Sequence, residues 1–179
     1  MKLAKEIVQS IKDAEKIVIT SHRSPDGDSV GSSLGMLRFI QALGKDATIC
    51  HPDACPSFIE WLKQGDEIID FDANQAEVIS AMDNADLIFC LDYNGSGRLG
   101  KDMGGVLLAA DGKKIMIDHH PGPEDIFDLT ASHPDVCSTS QLIVELILES
   151  GHENVLNQAI GTPLYLGCLL YTSDAADDD

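Results

Sequence analysis

The chain has 179 residues, which suits one domain, or one domain and a fragment of another, and its 44% hydrophobic and 23% charged content is typical of a globular protein. The net charge of −18 argues against a broad interface with duplex DNA, because such binding needs Lys and Arg side chains on many phosphates. No apolar run approaches the roughly 18 residues of a membrane span and the first residues lack a signal-peptide pattern, so we expect a cytoplasmic protein without membrane contact.

Helical and strand-like patterns alternate along the first half of the chain. In order, they predict a helix over residues 3–12, a strand over 16–20, a helix that starts with Asp28 as its N-cap and ends near Gly44, a strand over 47–50, a brief helix over 58–62 and an extended piece over 68–71.

The second half continues the alternation. It predicts a helix over 74–83, a strand over 86–91 that ends at Asp92, a strand over 114–117 that ends at Asp118, an edge strand over 127–131, a helix capped by the cluster at 138–140 and ended near Gly151, and a last helix from about Val155. The pattern indicates an α/β fold, a mainly parallel doubly wound sheet with helices on both faces.

The five cysteines form an odd set without CxxC spacing, and Cys90 lies inside an apolar strand pattern. We therefore expect reduced core or surface thiols and assign cysteine no part in the chemistry.

Polar groups follow three of the predicted strands. His22, Asp26 and Asp28 come after the first strand, Asp92 after a middle strand, and residues 118–120 (Asp-His-His) after a later one. Packing gives no reason to place acids and a histidine together, since each loses hydration on burial and ionised acids repel one another. In a parallel sheet ligands bind beyond the carboxyl ends of the strands, so a positive ion is expected between these groups.

Imidazole and carboxylate ligands suit a divalent ion such as Mn²⁺, and two such ions can clamp both oxygens of a phosphoryl displacement. Asp92 is the natural bridging carboxylate, and Gly27 and Gly31 would let the backbone approach the ions. Taken singly, the Asp-Gly-Asp stretch reads as a turn, Asp92 as a cap and the histidine pair as partly buried residues. Their occurrence at three strand ends of one sheet favours the metal site.

These residues resemble the first three motifs of the DHH phosphoesterases. The stretch HRSPDGDSVGS, Asp92 in LDYN and the triplet in MIDHHPGP carry the resemblance, which runs from near residue 1 to about Gly167. Within that superfamily the chain is most similar to the bacterial oligoribonuclease and pAp phosphatase group, with Arg98 in SGRLG at the position of that group's Arg-Leu-Gly.

The resemblance implies a set of roles. His22 and Asp26 would bind one manganese ion, Asp28 and His119 a second, and Asp92 would bridge them, with Mg²⁺ or Co²⁺ as possible substitutes. His120 would face the substrate phosphate, Asp118 would orient the histidines, and Arg98 would contact phosphate, a surface salt bridge being the alternative. The residues at 138–140 are interpreted as a helix cap and not as a substrate contact.

The family's fourth motif begins in this chain at Leu164 and then departs from the pattern. Tyr171 stands where the family has a metal-binding Asp, and residues 168–179 bear no family resemblance and read as translated sequencing adapter. Asp174 could replace the missing ligand only through a register shift. We therefore expect a catalytic domain over residues 1–167 that is incomplete at its end, an artefactual tail, and no C-terminal substrate-binding domain.

The predicted function is hydrolysis of short single-stranded RNA oligonucleotides or of 3'-phosphoadenosine 5'-phosphate (pAp) by two-metal activation of water. One alternative keeps the metal site but acts on a cyclic dinucleotide, polyphosphate or pyrophosphate. Another is a non-catalytic metal- or nucleotide-binding fragment, favoured by Tyr171 in place of Asp. The sequence leaves the oligomeric state open.

Overall fold

The computed structural model describes residues 2–174, with side chains described through residue 170. In chain order the helices and strands are α1 (Ala4–Asp13), β1 (Ile17–Thr20), α2 (Gly27–Ala42), β2 (Ala47–His51), β3 (Ile68–Asp70), α3 (Gln75–Asp83), β4 (Leu87–Leu91), α4 (Lys101–Ala109), β5 (Lys113–Asp118), β6 (Leu129–Ser132), α5 (Thr139–Glu149) and α6 (Gln158–Asp174). Short 3-10 helices lie at Glu60–Lys63, Ser96–Leu99 and Glu153–Val155.

The strands form one six-stranded sheet in the order β3-β2-β1-β4-β5-β6, and every neighbouring pair is parallel. The chain winds outward from β1 to β3, returns to the middle of the sheet and winds the other way from β4 to β6. A crevice therefore opens where the carboxyl ends of β1 and β4 lie side by side, the usual ligand position in such sheets.

Helices cover both faces of this sheet, as the sequence predicts. Along each strand alternate side chains point to opposite faces, so Ile19 and Phe89 join the core under α1, α2, α5 and α6, while Ile88 and Cys90 join the core under α3 and α4. Both faces are buried, which explains why these strands are almost continuously apolar. The doubly wound α/β prediction is confirmed.

Helices α2 and α6 pack with their backbones in close contact. A Cβ atom built on Gly31 would lie 2.5 Å from the carbonyl oxygen of Pro163, and one on Gly35 would overlap Leu164. The expectation that Gly27 and Gly31 make room for ions is therefore corrected, because α6 fills the space beside them: Gly27 faces Leu170.

A buried arginine fastens the start of α6 to the rest of the domain. Pro163 lies inside α6 and has no N–H, so the carbonyl of Ala159 loses its intrahelical partner. Arg38 Nη1 donates to that carbonyl at 2.7 Å, and Arg38 Nε donates to Asp66 Oδ2 at 2.8 Å. Arg38 also reaches the carbonyl of Leu62 at 2.7 Å, so one side chain joins three segments.

Several predicted elements differ from the observed ones. The sequence pattern does not predict helix α4, because Gly104 and Gly105 weaken the helical signal. Gly104 has a packing role, since a Cβ atom at this position would collide with the carbonyl oxygen of Ser96. The brief helix near 58–62 is a 3-10 helix at Glu60–Lys63, and the edge strand is Leu129–Ser132. The last helix begins at Gln158, after a 3-10 turn that includes Val155.

None of the helices in the described part of the chain has both the length and the apolar character needed to cross a lipid bilayer. All five cysteines are free, in agreement with the expectation of reduced thiols.

Candidate metal centre

The loop after β1 directs His22 into the crevice. The Nδ1 atom of His22 lies 2.7 Å from the carbonyl oxygen of Arg23, and because a carbonyl only accepts, Nδ1 must be the donor. The other ring nitrogen, Nε2, lies 3.7 Å from Asp26 Oδ2 and 3.4 Å from Asp92 Oδ2. In the neutral ring this Nε2 carries the lone pair, which is the arrangement a metal-binding histidine needs.

The strand ends of β4 and β5 supply the groups on the other side of Asp92. His119 Nε2 lies 3.4 Å from Asp92 Oδ1 and 3.9 Å from Asp28 Oδ2. The adjacent His120 donates through Nδ1 to Asp118 Oδ1 at 2.7 Å. The His120 side chain is 27% exposed and that of His119 only 5%, so the two neighbouring histidines face different surroundings.

The two acids after β1 have separate positions at the start of α2. Asp26 is the N-cap: its backbone is extended, its carboxylate accepts from the backbone N–H of Ser29 at 2.8 Å, and Ser29 Oγ accepts from the backbone N–H of Asp26. The prediction of Asp28 as the N-cap is wrong, because Asp28 already lies in the first helical turn. Its fully buried side chain instead turns towards α5.

Helix α5 begins directly against these acids. Its N-cap is Ser138, whose Oγ accepts from the backbone N–H of Gln141, so the predicted capping role of this cluster is observed. The backbone N–H groups of Thr139 and Ser140 donate to the two oxygens of Asp28 at 2.7 Å and 2.8 Å. The Thr139 hydroxyl donates to Asp92 Oδ1 at 2.9 Å. Sequence reasoning missed Thr139, since a cap pattern does not indicate which strand end the helix meets.

Two groups of side chains have ligand atoms within 4.8 Å of one another and can each hold a metal ion. One comprises His22, Asp26 and Asp92, and the other Asp92, Asp118, His119 and His120. Asp92 belongs to both. Asp28 belongs to neither of these groups, and Asp118 and His120, assigned to other roles from the sequence, lie among the possible ligands.

Charge and burial shift the pKa values of these groups strongly. Burial lowers the pKa of His22, but the carboxylates of Asp26 and Asp92 outweigh it and raise the pKa to about 10. The pKa of His119 is likewise raised, because Asp92 offsets its burial. Burial raises the pKa of Asp92, and the two histidines more than reverse this, so its carboxylate stays ionised.

Asp28 shows the opposite behaviour. Burial and then repulsion by the Asp92 charge raise its pKa to about 8, despite the hydrogen bonds from α5. In addition, Asp118 Oδ2 is buried without a hydrogen-bond partner among the described residues. A crevice that gathers this much negative charge and unsatisfied oxygen fits a divalent cation, which would supply the positive charge that protonated histidines otherwise provide.

Arg98 lies at the rim of the crevice. It follows β4 in a 3-10 helix and is exposed, and its carbonyl accepts from the backbone N–H of Arg23 at 2.8 Å, which ties together the loops after β1 and β4. No ion pair joins Arg98 to any residue between 2 and 170, so the salt-bridge alternative is not observed there.

The expectations for Tyr171 and Asp174 concern side chains outside the described ones. The backbone of α6 extends to Asp174, whereas the described side chains end at residue 170.

Several known proteins are similar in sequence to this chain. The bifunctional oligoribonuclease and PAP phosphatase NrnA of Thermus thermophilus is 29% identical over 175 residues, covering 97% of this chain and 48% of that protein. The cyclic-di-AMP phosphodiesterase GdpP of Bacillus subtilis is 27% identical over 176 residues, covering 94% of this chain and 26% of that protein. The chain thus spans about half, or less, of the length of these relatives.

Solved structures show the same fold. An exopolyphosphatase-related protein from Bacteroides fragilis superposes with a TM-score of 0.92 at 36% identity, covering 96% of this chain and 50% of that one. RecJ from Thermus thermophilus, in complex with Mn²⁺, has a TM-score of 0.56 at 15% identity over 93% of this chain and 23% of that one, a likeness of fold alone. The family model of the DHH family N-terminal domain matches residues 16–168. This segment contains every strand and all the crevice residues described above. The chain therefore belongs to the DHH family.

Proposed function

We propose that this chain is the metal-binding catalytic part of a phosphoesterase that hydrolyses short single-stranded RNA or pAp with the help of two divalent ions, Mn²⁺ being the preferred one. The observation that carries the proposal is that two clusters of imidazole and carboxylate side chains, each able to hold an ion, have Asp92 in common. The activity in the name of the NrnA relative, oligoribonuclease and PAP phosphatase, supports the choice of substrate. The five free cysteines fit a cytoplasmic enzyme.

In this proposal His22 and Asp26 hold one ion, His119 and Asp28 help to hold the other, and Asp92 serves both. The position of Asp92 supports its shared role, because its Oδ2 lies 3.4 Å from His22 Nε2 and its Oδ1 lies 3.4 Å from His119 Nε2. Asp28 lies outside both clusters and is assigned to the second ion from the family resemblance. When bound, divalent ions at such a site polarise phosphoryl oxygens and make water a stronger nucleophile near neutral pH. The mixed oxygen and imidazole donors favour Mn²⁺, and the Mn²⁺ named with the RecJ neighbour is consistent with that choice.

His120 and Arg98 are the proposed substrate contacts. His120 is fixed through Nδ1 by Asp118, which leaves its Nε2 for the phosphate, and it is the more exposed of the two adjacent histidines. Arg98 stands at the rim and can form paired hydrogen bonds with a phosphate. The net charge of −18 disfavours the many phosphate contacts that duplex nucleic acid needs, which supports the choice of short substrates.

A second candidate keeps this site but acts on a cyclic dinucleotide, and the GdpP relative favours it. The name of the Bacteroides structure, exopolyphosphatase-related, points to polyphosphate as a further substrate to test. A third candidate, from another class, is a fragment that binds metal or nucleotide without turnover, because Tyr171 stands at the position of the family's fourth-motif acid.

The test measures Mn²⁺-dependent product release from an RNA dinucleotide, pAp, a cyclic dinucleotide, polyphosphate, pyrophosphate and duplex DNA. It compares the 179-residue chain with a version extended by a family-like fourth motif and C-terminal domain. We expect the extended protein to release mononucleotide from RNA or phosphate from pAp, and Asp92→Ala to lower the rate by at least about a hundredfold.

Asp72→Ala is the matched control, because Asp72 is an exposed acid outside the crevice, and it should retain the wild-type rate. Wild-type turnover by Asp92→Ala would refute the shared role of Asp92. Preference for the cyclic dinucleotide would select the second candidate, and Mn²⁺ binding without turnover by the extended protein would select the third.

A further inference from the structure

The start of α5 makes two sets of contacts with the proposed metal ligands, and only one of them is to be expected of a helix end. The backbone N–H groups at 139 and 140 satisfy Asp28, as helix N-termini commonly satisfy carboxylates. The Thr139 hydroxyl makes the second contact. It is not needed as a cap, since Ser138 fills that role, and it donates across to Asp92 Oδ1 at 2.9 Å.

Asp92 needs outside support to keep its position. Its φ angle is +65°, in the left-handed region that few residues other than glycine adopt. Such a conformation persists at a functional site only when neighbouring groups hold it in place. On the backbone side its N–H donates to the carbonyl of Ile117 at 3.1 Å, and on the side-chain side the Thr139 hydroxyl donates to its carboxylate.

The hydroxyl leaves Asp92 able to bind metal. Each carboxylate oxygen has two lone-pair positions, so Oδ1 can accept from Thr139 and would still have a lone pair for an ion held by His119. Thr139 and Asp92 are both almost completely buried, so the hydrogen bond between them lies away from bulk solvent, where it is stronger than an exposed one.

We propose that Thr139 is a positioning residue of the metal centre, whose hydroxyl orients the shared carboxylate of Asp92 while the adjacent backbone orients Asp28. This rests on the proposed function, because it assumes that Asp92 binds divalent ions. Thr139 itself touches neither ion nor substrate.

The experiment measures Mn²⁺ affinity of the 179-residue chain by titration calorimetry and by the electron paramagnetic resonance signal of free Mn²⁺, without any substrate. Thr139→Val removes the hydroxyl at nearly constant volume and should weaken Mn²⁺ binding by about 10- to 100-fold, the usual effect of losing a partner of a metal ligand. Thr139→Ser keeps a hydroxyl and should stay within about threefold of wild type. The visible spectrum of bound Co²⁺ should change in the valine variant and not in the serine variant, because it reports ligand geometry.

Thr20→Val is the matched control. The Thr20 hydroxyl is also buried and donates to the carbonyl of Phe89 at 2.8 Å, but it contacts no carboxylate. Thr20→Val should therefore lower stability to urea and leave Mn²⁺ affinity within about threefold of wild type. If Thr139→Val does not fold, Thr139→Ala replaces it with the same expected loss of affinity.

The inference is overturned if the hydroxyl-free variant binds Mn²⁺ as wild type does, if Thr139→Ser loses as much affinity as Thr139→Val, or if Thr20→Val loses as much. Failure of the proposed function gives a different result. In that case the wild-type chain itself binds no Mn²⁺, and the role of Thr139 falls with it.

Discussion

Burial of a neutral His51 should favour unfolding in mild acid, and the size of this contribution follows from the surroundings of the ring. Its side chain is completely buried at the end of β2, where Nε2 lies 2.9 Å from Ser33 Oγ and Nδ1 has no hydrogen-bond partner among the described residues. Burial, and then the positive charge of His22, lower its pKa from 6.5 to about 3. The folded protein therefore keeps His51 neutral at pH values where the unfolded chain protonates it.

The sign and the size of the effect follow by proton linkage. As the pH falls below 6.5 the unfolded state gains a proton at His51 that the folded state does not bind until about pH 3, so the contribution of His51 to the free energy of unfolding decreases over that interval. With about 1.36 kcal/mol for each pH unit, this contribution should fall by about 2 kcal/mol between pH 7 and pH 5. The raised pKa values of Asp28 and His22 act in the opposite direction, so the His51 effect is measured as the difference between wild type and a variant that lacks this histidine.

The assay is urea unfolding at several pH values between 7 and 5, with chelator present, for the wild-type chain and for His51→Gln. Glutamine can hydrogen-bond to Ser33 but does not titrate, so the variant should lose about 2 kcal/mol less than wild type over this range. Nuclear magnetic resonance of the His51 ring should show a neutral imidazole at pH 5. Equal losses in both proteins, or a charged ring in the folded state at pH 5, would refute the reasoning.

Two further predictions concern the packing of α6. Arg38→Met should lower the free energy of unfolding, measured in urea titrations, by about 3 kcal/mol. The reason is that the Asp66 carboxylate and the Ala159 carbonyl, which has no partner within α6 because of Pro163, would both lose their donor. A loss below about 1 kcal/mol would contradict this. Gly31→Ala should lower the free energy of unfolding by about 1 to 3 kcal/mol, because the new Cβ would collide with the backbone of α6. Gly105→Ala lies in open space within α4 and should raise the free energy of unfolding by about 0.5 to 1 kcal/mol. Equal effects of the two substitutions on the melting temperature would disprove the steric argument.

The sequence by itself determined the fold class and the edge of the sheet at which the polar groups gather. Strands that are buried on both faces must be almost wholly apolar, so the runs that end at Thr20, Leu91 and Asp118 identified the central strands, and the polar groups after them identified the ligand edge. Those signals are local, because each depends only on residues adjacent in the chain.

Only the tertiary structure decided how these groups meet. Sequence spacing could not show that α5 begins against Asp28 and Asp92, since the contacts between Thr139 and these acids span 111 and 47 residues. Sequence spacing also could not show that the glycines of α2 allow α6 to pack closely against it, or that Asp26 and not Asp28 is the N-cap of α2. Hydrogen bonds and close backbone contacts depend on distances set by the whole packed domain, and no pattern within a short stretch of sequence contains that information.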